Sequence, residues 1–241
     1  MTAAAPKKRE VTLPEGVSLR RVAQVLLDAW EADPARWMNA PAELREDPAA
    51  PAAPAPQDAL DLFRLLAERR VKYLLVGGLA MLTYVKGHNT KDVDLLLSLE
   101  ASHKIPELEI SNRQDFFARA QFRSVQVDLL FTFNPLFKTV AEKFGAVHSF
   151  AELNVPAATV EGLIILKLYA LPSLYRQFDM NRAALYETDI AMLIANHSPA
   201  VEPLLALASH DMEPGDKAKL KKIISECSAR AKLLRQRSGQ Q

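Results

Sequence analysis

Three aspartates stand in sequence settings that disfavour carboxylates. Asp92 and Asp94 belong to Asp-Val-Asp-Leu-Leu-Leu-Ser-Leu (92–99), and Asp128 to Val-Gln-Val-Asp-Leu-Leu-Phe (125–131). Both runs are otherwise built for a core, and the first is apolar enough to be a strand buried on both faces. Residues two apart in a strand point to one face, so Asp92 and Asp94 share a side. With the two strands adjacent, the three carboxylates converge. Clustered negative charges raise one another's pKa unless a cation neutralises them. Divalent magnesium, with manganese as a substitute, is a hard ion that binds carboxylates together with substrate phosphates. Two such ions would activate an attacking oxygen and stabilise a leaving pyrophosphate. Taken alone, Asp-x-Asp is more often a turn or a helix cap than a metal site. The strand setting and the third aspartate turn the balance toward a metal.

Gly77-Gly78, the one pair of adjacent glycines, ends the β-rich run Val-Lys-Tyr-Leu-Leu-Val (71–76), 14 residues before Asp92. A strand-to-helix turn of glycines lets backbone approach a phosphate closely, although a plain tight turn reads the same way. Lys167 is the only non-apolar residue of Leu-Ile-Ile-Leu-Lys-Leu-Tyr-Ala-Leu (163–171). Its ammonium must either reach an anion or snorkel out of a core helix. Arg176 either pairs with a carboxylate such as Asp179 or meets substrate. The five histidines show no ligand spacing, and Cys227 lies on a packing stripe.

Patterning supplies the elements that would position these groups. Helices are expected over 18–32, 58–70, 79–86, 136–144, 159–171 (with Thr159 as N-cap), 181–196, 200–209 and 216–236. Strands are expected over 71–76 and 92–99, near 116–122, and over 123–131. The class is α+β. Its parts are an N-terminal helical arm (1–47), a Pro/Ala-rich tether (48–57), an α/β unit (58–135) and a helical C-terminal unit (136–241). Eight of the 15 prolines fall in the first 57 residues, which sets the arm and tether apart.

The counts exclude several classes. One cysteine in 241 residues rules out a disulfide framework and a Cys-based zinc site. Thirty Lys+Arg against 29 Asp+Glu give no overall basic field. No apolar run approaches the roughly 20 residues that span a bilayer. The N-terminus lacks a secretory signal, so a soluble cytoplasmic protein without a membrane partner is expected. Residues 216–237 carry eight Lys/Arg against two acids. That helix is either the wet face of an amphipathic element or a contact for tRNA phosphates.

Val-Gly-Gly-Leu-Ala-Met-Leu-Thr-Tyr-Val-Lys-Gly-His-Asn-Thr-Lys-Asp-Val-Asp-Leu-Leu-Leu-Ser (76–98) resembles the signature of the nucleotidyltransferase superfamily with the DNA-polymerase-beta-like palm. It is most similar to the minimal bacterial enzymes grouped with AbiEii-type toxins of type IV toxin–antitoxin systems. Gly77, Gly78, Thr90, Lys91, Asp92, Asp94 and Asp128 fall on matching positions. Residues 161–179 and 187–193 look like that family's helical half. The sequence departs from the pattern at the usual arginine, where it reads Gly87-His88-Asn89.

The resemblance implies a small mixed-sheet palm and a metal site of Asp92, Asp94 and Asp128. It also implies nucleoside triphosphate contacts at Gly77, Gly78, Thr90, Lys91, Lys167 and Arg176. The reaction implied moves a nucleoside monophosphate to an acceptor hydroxyl, on a tRNA 3′ end or a protein, and the role implied is a toxin with a cognate antitoxin. A non-catalytic interaction protein on the same scaffold is the alternative. Antibiotic nucleotidylation would need an acidic pocket, for which Glu107, Glu109 and Asp115 are the candidates.

Overall fold

The computed structural model describes residues 56–85, 90, 92–150 and 153–238. The expected helix 18–32, the arm, most of the tether, His88, Asn89 and Lys91 lie outside the described residues.

The chain enters on α1 (Pro56–Glu68), whose Ala59, Leu62, Phe63 and Leu66 are buried at one-turn spacing. The helix ends at Arg70 in the left-handed region (φ 49°), where the Val71 amide donates to the Leu66 carbonyl. β1 (Tyr73–Val76) runs from there into α2 (Gly77–Met81), followed by β2 (Asp92–Leu97) and a one-turn helix α3 (Leu99–Ser102) capped by Ser98. β3 (Glu109–Arg113), β4 (Phe117–Phe122) and β5 (Val125–Phe131) form a meander. After it come α4 (Pro135–Lys143), β6 (Gly145–Phe150) and β7 (Leu153–Ala158). Four helices finish the described chain: α5 (Val160–Arg176), α6 (Met180–His197), α7 (Val201–Ala208) and α8 (Pro214–Ser238).

The seven strands form one mixed sheet in the order β3-β4-β5-β2-β1-β7-β6. β2 and β5 are parallel, as are β1 and β7; the other neighbours are antiparallel. The α+β class and the mixed sheet stand as expected, with two departures. The sheet is larger than the sequence suggests, because β6 and β7 come from the segment expected to be wholly helical and β3 from a stretch left unassigned. β3 is an edge strand exposed along its whole length, so it carries no apolar alternation. β6 and β7 are rich in small residues, and β7 contains Pro156, both of which blunt a period-2 signal.

The other departure is in α5, which runs past the expected stop at Leu171 and straight through Pro172. A mid-helix proline forfeits one backbone hydrogen bond. Here Leu168, Leu171, Pro172 and Leu174 are all buried, and that burial outweighs the loss. Thr159 caps the helix as expected, accepting from the Gly162 amide at 3.3 Å. On α8 the apolar stripe holds from Leu220 through Ile223, Ile224 and Cys227 to Ala231. Leu234, one turn further on, is 37% exposed.

Candidate active site

Strand register builds the site. In the antiparallel pair Val76 lies opposite Asp94; in the parallel pair Asp94 lies opposite Asp128; in the β4–β5 hairpin Asp128 lies opposite Arg119. Directly opposed residues share a face, so Asp94, Asp128 and Arg119 form one row across three strands, with Asp92 on the same side. Each of Asp92, Asp94 and Asp128 offers a carboxylate oxygen, and the three oxygens lie within 4.8 Å of one another.

The two sides of the Asp128 carboxylate differ. Its Oδ1 accepts from Arg119 Nε and from Gln126 Nε2, both at 3.2 Å. Its Oδ2 is buried and has no hydrogen-bond partner among the described residues. An orphaned buried acceptor costs about 1–3 kcal/mol, so this is an oxygen in want of a cation or a proton. Burial pushes the Asp94 carboxyl well above its ordinary range; the charges of Asp92 and Asp128 push it further, while Arg182 and Lys167 pull back. Asp128 is raised as well, first by burial, against the hydrogen bond and charge of Arg119. Three carboxylates at this spacing, one with an unpartnered oxygen and two whose ionised form is disfavoured, fit a divalent ion of the magnesium or manganese type.

The glycines make room for the aspartates. Gly77 has φ +63°, and a Cβ there would sit 1.8 Å from Asp94 Oδ2. At Gly78 a Cβ would meet Thr90 Oγ1 at 2.2 Å. Only glycine takes the left-handed conformation cheaply and leaves that space. Thr90, itself buried, donates its hydroxyl to Asp92 Oδ1 at 3.0 Å and so orients that carboxylate. The expected helix 79–86 is shorter and starts earlier, at Gly77, with single turns carrying the chain on to Val85.

The expected cations are placed differently. Lys167 does reach an anion, but an internal one: its Nζ donates to Asp189 Oδ2 at 2.8 Å, with the two side chains 7% and 2% exposed. Arg176 lies two and a half turns along α5 from Lys167, on the surface, and pairs with Asp216 at 2.7 Å. Tyr175 donates to Glu187. Of the acids weighed for an antibiotic pocket, Glu107 is held by Arg69, and Glu109 stands on the exposed edge strand.

Two residues absent from the sequence expectation join the group. Arg119 was within reach of sequence reasoning: a two-residue turn at Arg123-Ser124 fixes the β4–β5 register and sets Arg119 opposite Asp128. Arg182, on α6, had no such signal; its charge favours the ionised forms of Asp94 and Asp128.

No protein-family model and no curated protein matches the chain. Solved structures with a similar arrangement are nucleotidyltransferase-like. One is an antigenic nucleotidyltransferase-like protein from Paracoccidioides brasiliensis, 14% identical, with a TM-score of 0.43 over 68% of this chain and 91% of that one. ANT(2″)-Ia in complex with adenylyl-2″-tobramycin is 11% identical, with a TM-score of 0.40 over 64% and 95%. The solution structure of the antibiotic-resistance factor ANT(2″)-Ia is 12% identical, with a TM-score of 0.37 over 77% and 98%. Likeness at this level carries neither a fold family nor an activity across, and the functional reading rests on the residues of this chain. No described helix is long and apolar enough to cross a membrane.

Proposed function

We propose that the chain is a metal-dependent nucleotidyltransferase with a palm of the DNA-polymerase-beta-like kind. The observation that supports this best is the convergence of Asp92, Asp94 and Asp128 within 4.8 Å, with Asp128 Oδ2 buried and unpartnered. A divalent ion held by these three groups would supply positive charge to the phosphate oxygens and to the departing pyrophosphate. The protein's own contributions follow from the geometry. Thr90 fixes Asp92, and Arg119 with Gln126 fixes Asp128 by one oxygen, which leaves the other without a described partner. The turn at Gly77 and Gly78 brings backbone against Asp94, on the side where a phosphate would lie. Asp128 Oδ2 accepts the proton of the acceptor hydroxyl. The acceptor oxygen bonds to the α-phosphorus as the α–β bridging bond breaks, and pyrophosphate leaves.

The finer reading is supported by the likeness of residues 76–98 to AbiEii-type toxins: the acceptor is a tRNA 3′ end or a protein hydroxyl, and the protein acts in the cytoplasm as a toxin beside a cognate antitoxin. Calorimetry with magnesium and each nucleoside triphosphate in turn tests the reaction class. The wild type binds, and Asp92→Asn/Asp94→Asn loses more than about 100-fold in affinity. Labelled triphosphates with total tRNA and lysate protein then show which acceptor takes the label. A wild type that binds no magnesium and no nucleotide sinks the catalytic reading. One observation favours the alternative of a non-catalytic interaction protein: Arg119 already gives Asp128 a cation. That alternative predicts no binding heat with either ligand.

A further inference from the structure

The β3–β4 turn and the chain leaving β5 form an open hollow of about 680 Å³, lined by Arg113, Gln114, Asp115, Phe116 and Phe133. Strand register puts it on the face of the sheet away from the aspartates. Arg113 lies opposite Ala118, and Ala118 opposite Leu129. That row is next to the one of Arg119 and Asp128, and adjacent rows point to opposite faces. The methyl group of Ala118 leaves room for the Arg113 guanidinium, which lies 5.8 Å from the centre of the Phe131 ring.

Phe131 is buried, and Phe133 stacks on it with ring centres 5.5 Å apart and planes 14° off parallel. Phe116 leans on Phe133, again at 5.5 Å, with a tilt of 43°. Phe133 is 48% exposed and Phe116 41%. A stack anchored on a buried ring thus holds two outer rings in water, as a shelf. Its polar rim is uncommitted: no hydrogen bond or ion pair joins the side chain of Arg113, Gln114 or Asp115 to another described residue. An aromatic shelf beside a donor, an acceptor and an amide that is both matches an unpaired nucleobase, with its π face and its mixed edge. The guanidinium suits the phosphate of the same nucleotide. A purely apolar partner would leave Arg113 and Asp115 stranded, and a polycationic one would meet Arg113.

We infer that this hollow binds an unpaired nucleotide of an RNA acceptor, with the base on Phe133 and Phe116, its edge on Asp115 and Gln114, and its phosphate at Arg113. The assignment rests on the nucleotidyltransferase reading for its purpose, and within that reading it selects RNA over protein as the acceptor. The hollow and the aspartates lie on opposite faces of the sheet, so the nucleotide held here is not the one that reacts. The contact governs acceptor affinity.

Fluorescence anisotropy on the whole chain tests this, with a short single-stranded RNA of mixed sequence as the probe and its duplex as the control, both without magnesium or triphosphate. The wild type binds the single strand about tenfold more tightly than the duplex. Phe116→Ala/Phe133→Ala weakens single-strand binding by about ten- to a hundredfold. Phe116→Leu/Phe133→Leu keeps apolar packing, so its urea midpoint stays near that of the wild type, but stacking needs the ring and the affinity does not return. Arg113→Gln costs less and flattens the dependence of log affinity on log salt by about 0.7. Equal affinity for single strand and duplex overturns the assignment, as does unchanged RNA binding in the leucine variant. So does a dimer in sedimentation that the leucine variant dissociates, since the shelf would then be a contact between two copies. A wild type that binds magnesium and triphosphate but no RNA overturns this assignment alone. One that binds neither magnesium nor nucleotide sinks the functional reading, and the acceptor role with it.

Discussion

The aspartates of β2 and β5 and the Lys167–Asp189 pair between α5 and α6 are both largely withdrawn from water, and the fold treats them in opposite ways. The helical pair is complete in itself, an ammonium on a carboxylate at 2.8 Å inside an apolar helix packing. The strand group is incomplete: three carboxylates, one arginine on one oxygen of one of them, and a second oxygen of that same group left bare. A complete pair is what a protein needs in order to tolerate buried charge. An incomplete one costs stability and persists where something outside the chain completes it. In the proposed reading the chemistry belongs to the sheet and the Lys167 helix supports it.

Three measurements would break or sharpen that contrast. The largest effect belongs to the helical pair. Lys167→Met strips a buried carboxylate of its cation and should cost about 3–5 kcal/mol in urea denaturation, whereas adding Asp189→Leu should restore most of it. If the single and double variants were equally unstable, the pair would not be the self-contained unit described here.

Next in size is Gly77→Ala. The left-handed backbone alone costs about 1–2 kcal/mol for a residue with a Cβ, and that Cβ falls on Asp94 Oδ2. Lower stability together with lost magnesium binding is the expected result. Unaltered metal affinity would show that the glycine turn serves the fold and not the carboxylate.

The smallest is a pH effect on the metal-free protein. Asp94 has an ordinary value of 3.8 and is raised in the folded state, first by burial and then by Asp92 and Asp128. The folded state therefore binds more protons than the unfolded one in the window above 3.8, and this group's contribution to stability falls as pH rises through it. Magnesium relieves the repulsion, so the gain in Tm on adding it should be larger near pH 8 than near pH 5, by a few degrees. An equal gain at both values would mean that the cluster is not the metal site.

The sequence announced the aspartates because each interrupts an otherwise apolar strand, and it announced Gly77-Gly78 because nothing else in the chain repeats that pair. Thr90 was singled out by the resemblance of residues 76–98 to the nucleotidyltransferase signature. Strand β3 escaped because an exposed edge carries no alternation, and α5 ran past its expected end because Pro172 is buried where a proline usually stops a helix.

The chain alone thus determined that Asp92 and Asp94 share a face, since side-chain alternation along a strand is fixed by local geometry and needs no knowledge of the partner; that Asp128 joins them depended on the β2–β5 register. The chain also narrowed Lys167 to two fates, an anion partner or snorkelling out of a core helix, since an apolar helix leaves an ammonium no others. Which anion it found, and that the charge of Arg182 acts on Asp94 and Asp128, only the tertiary structure decided. Asp189 and Arg182 lie 22 and 15 residues after Lys167 on a different helix. Their positions depend on how α6 packs against α5 and the sheet, and no periodicity in the sequence records that.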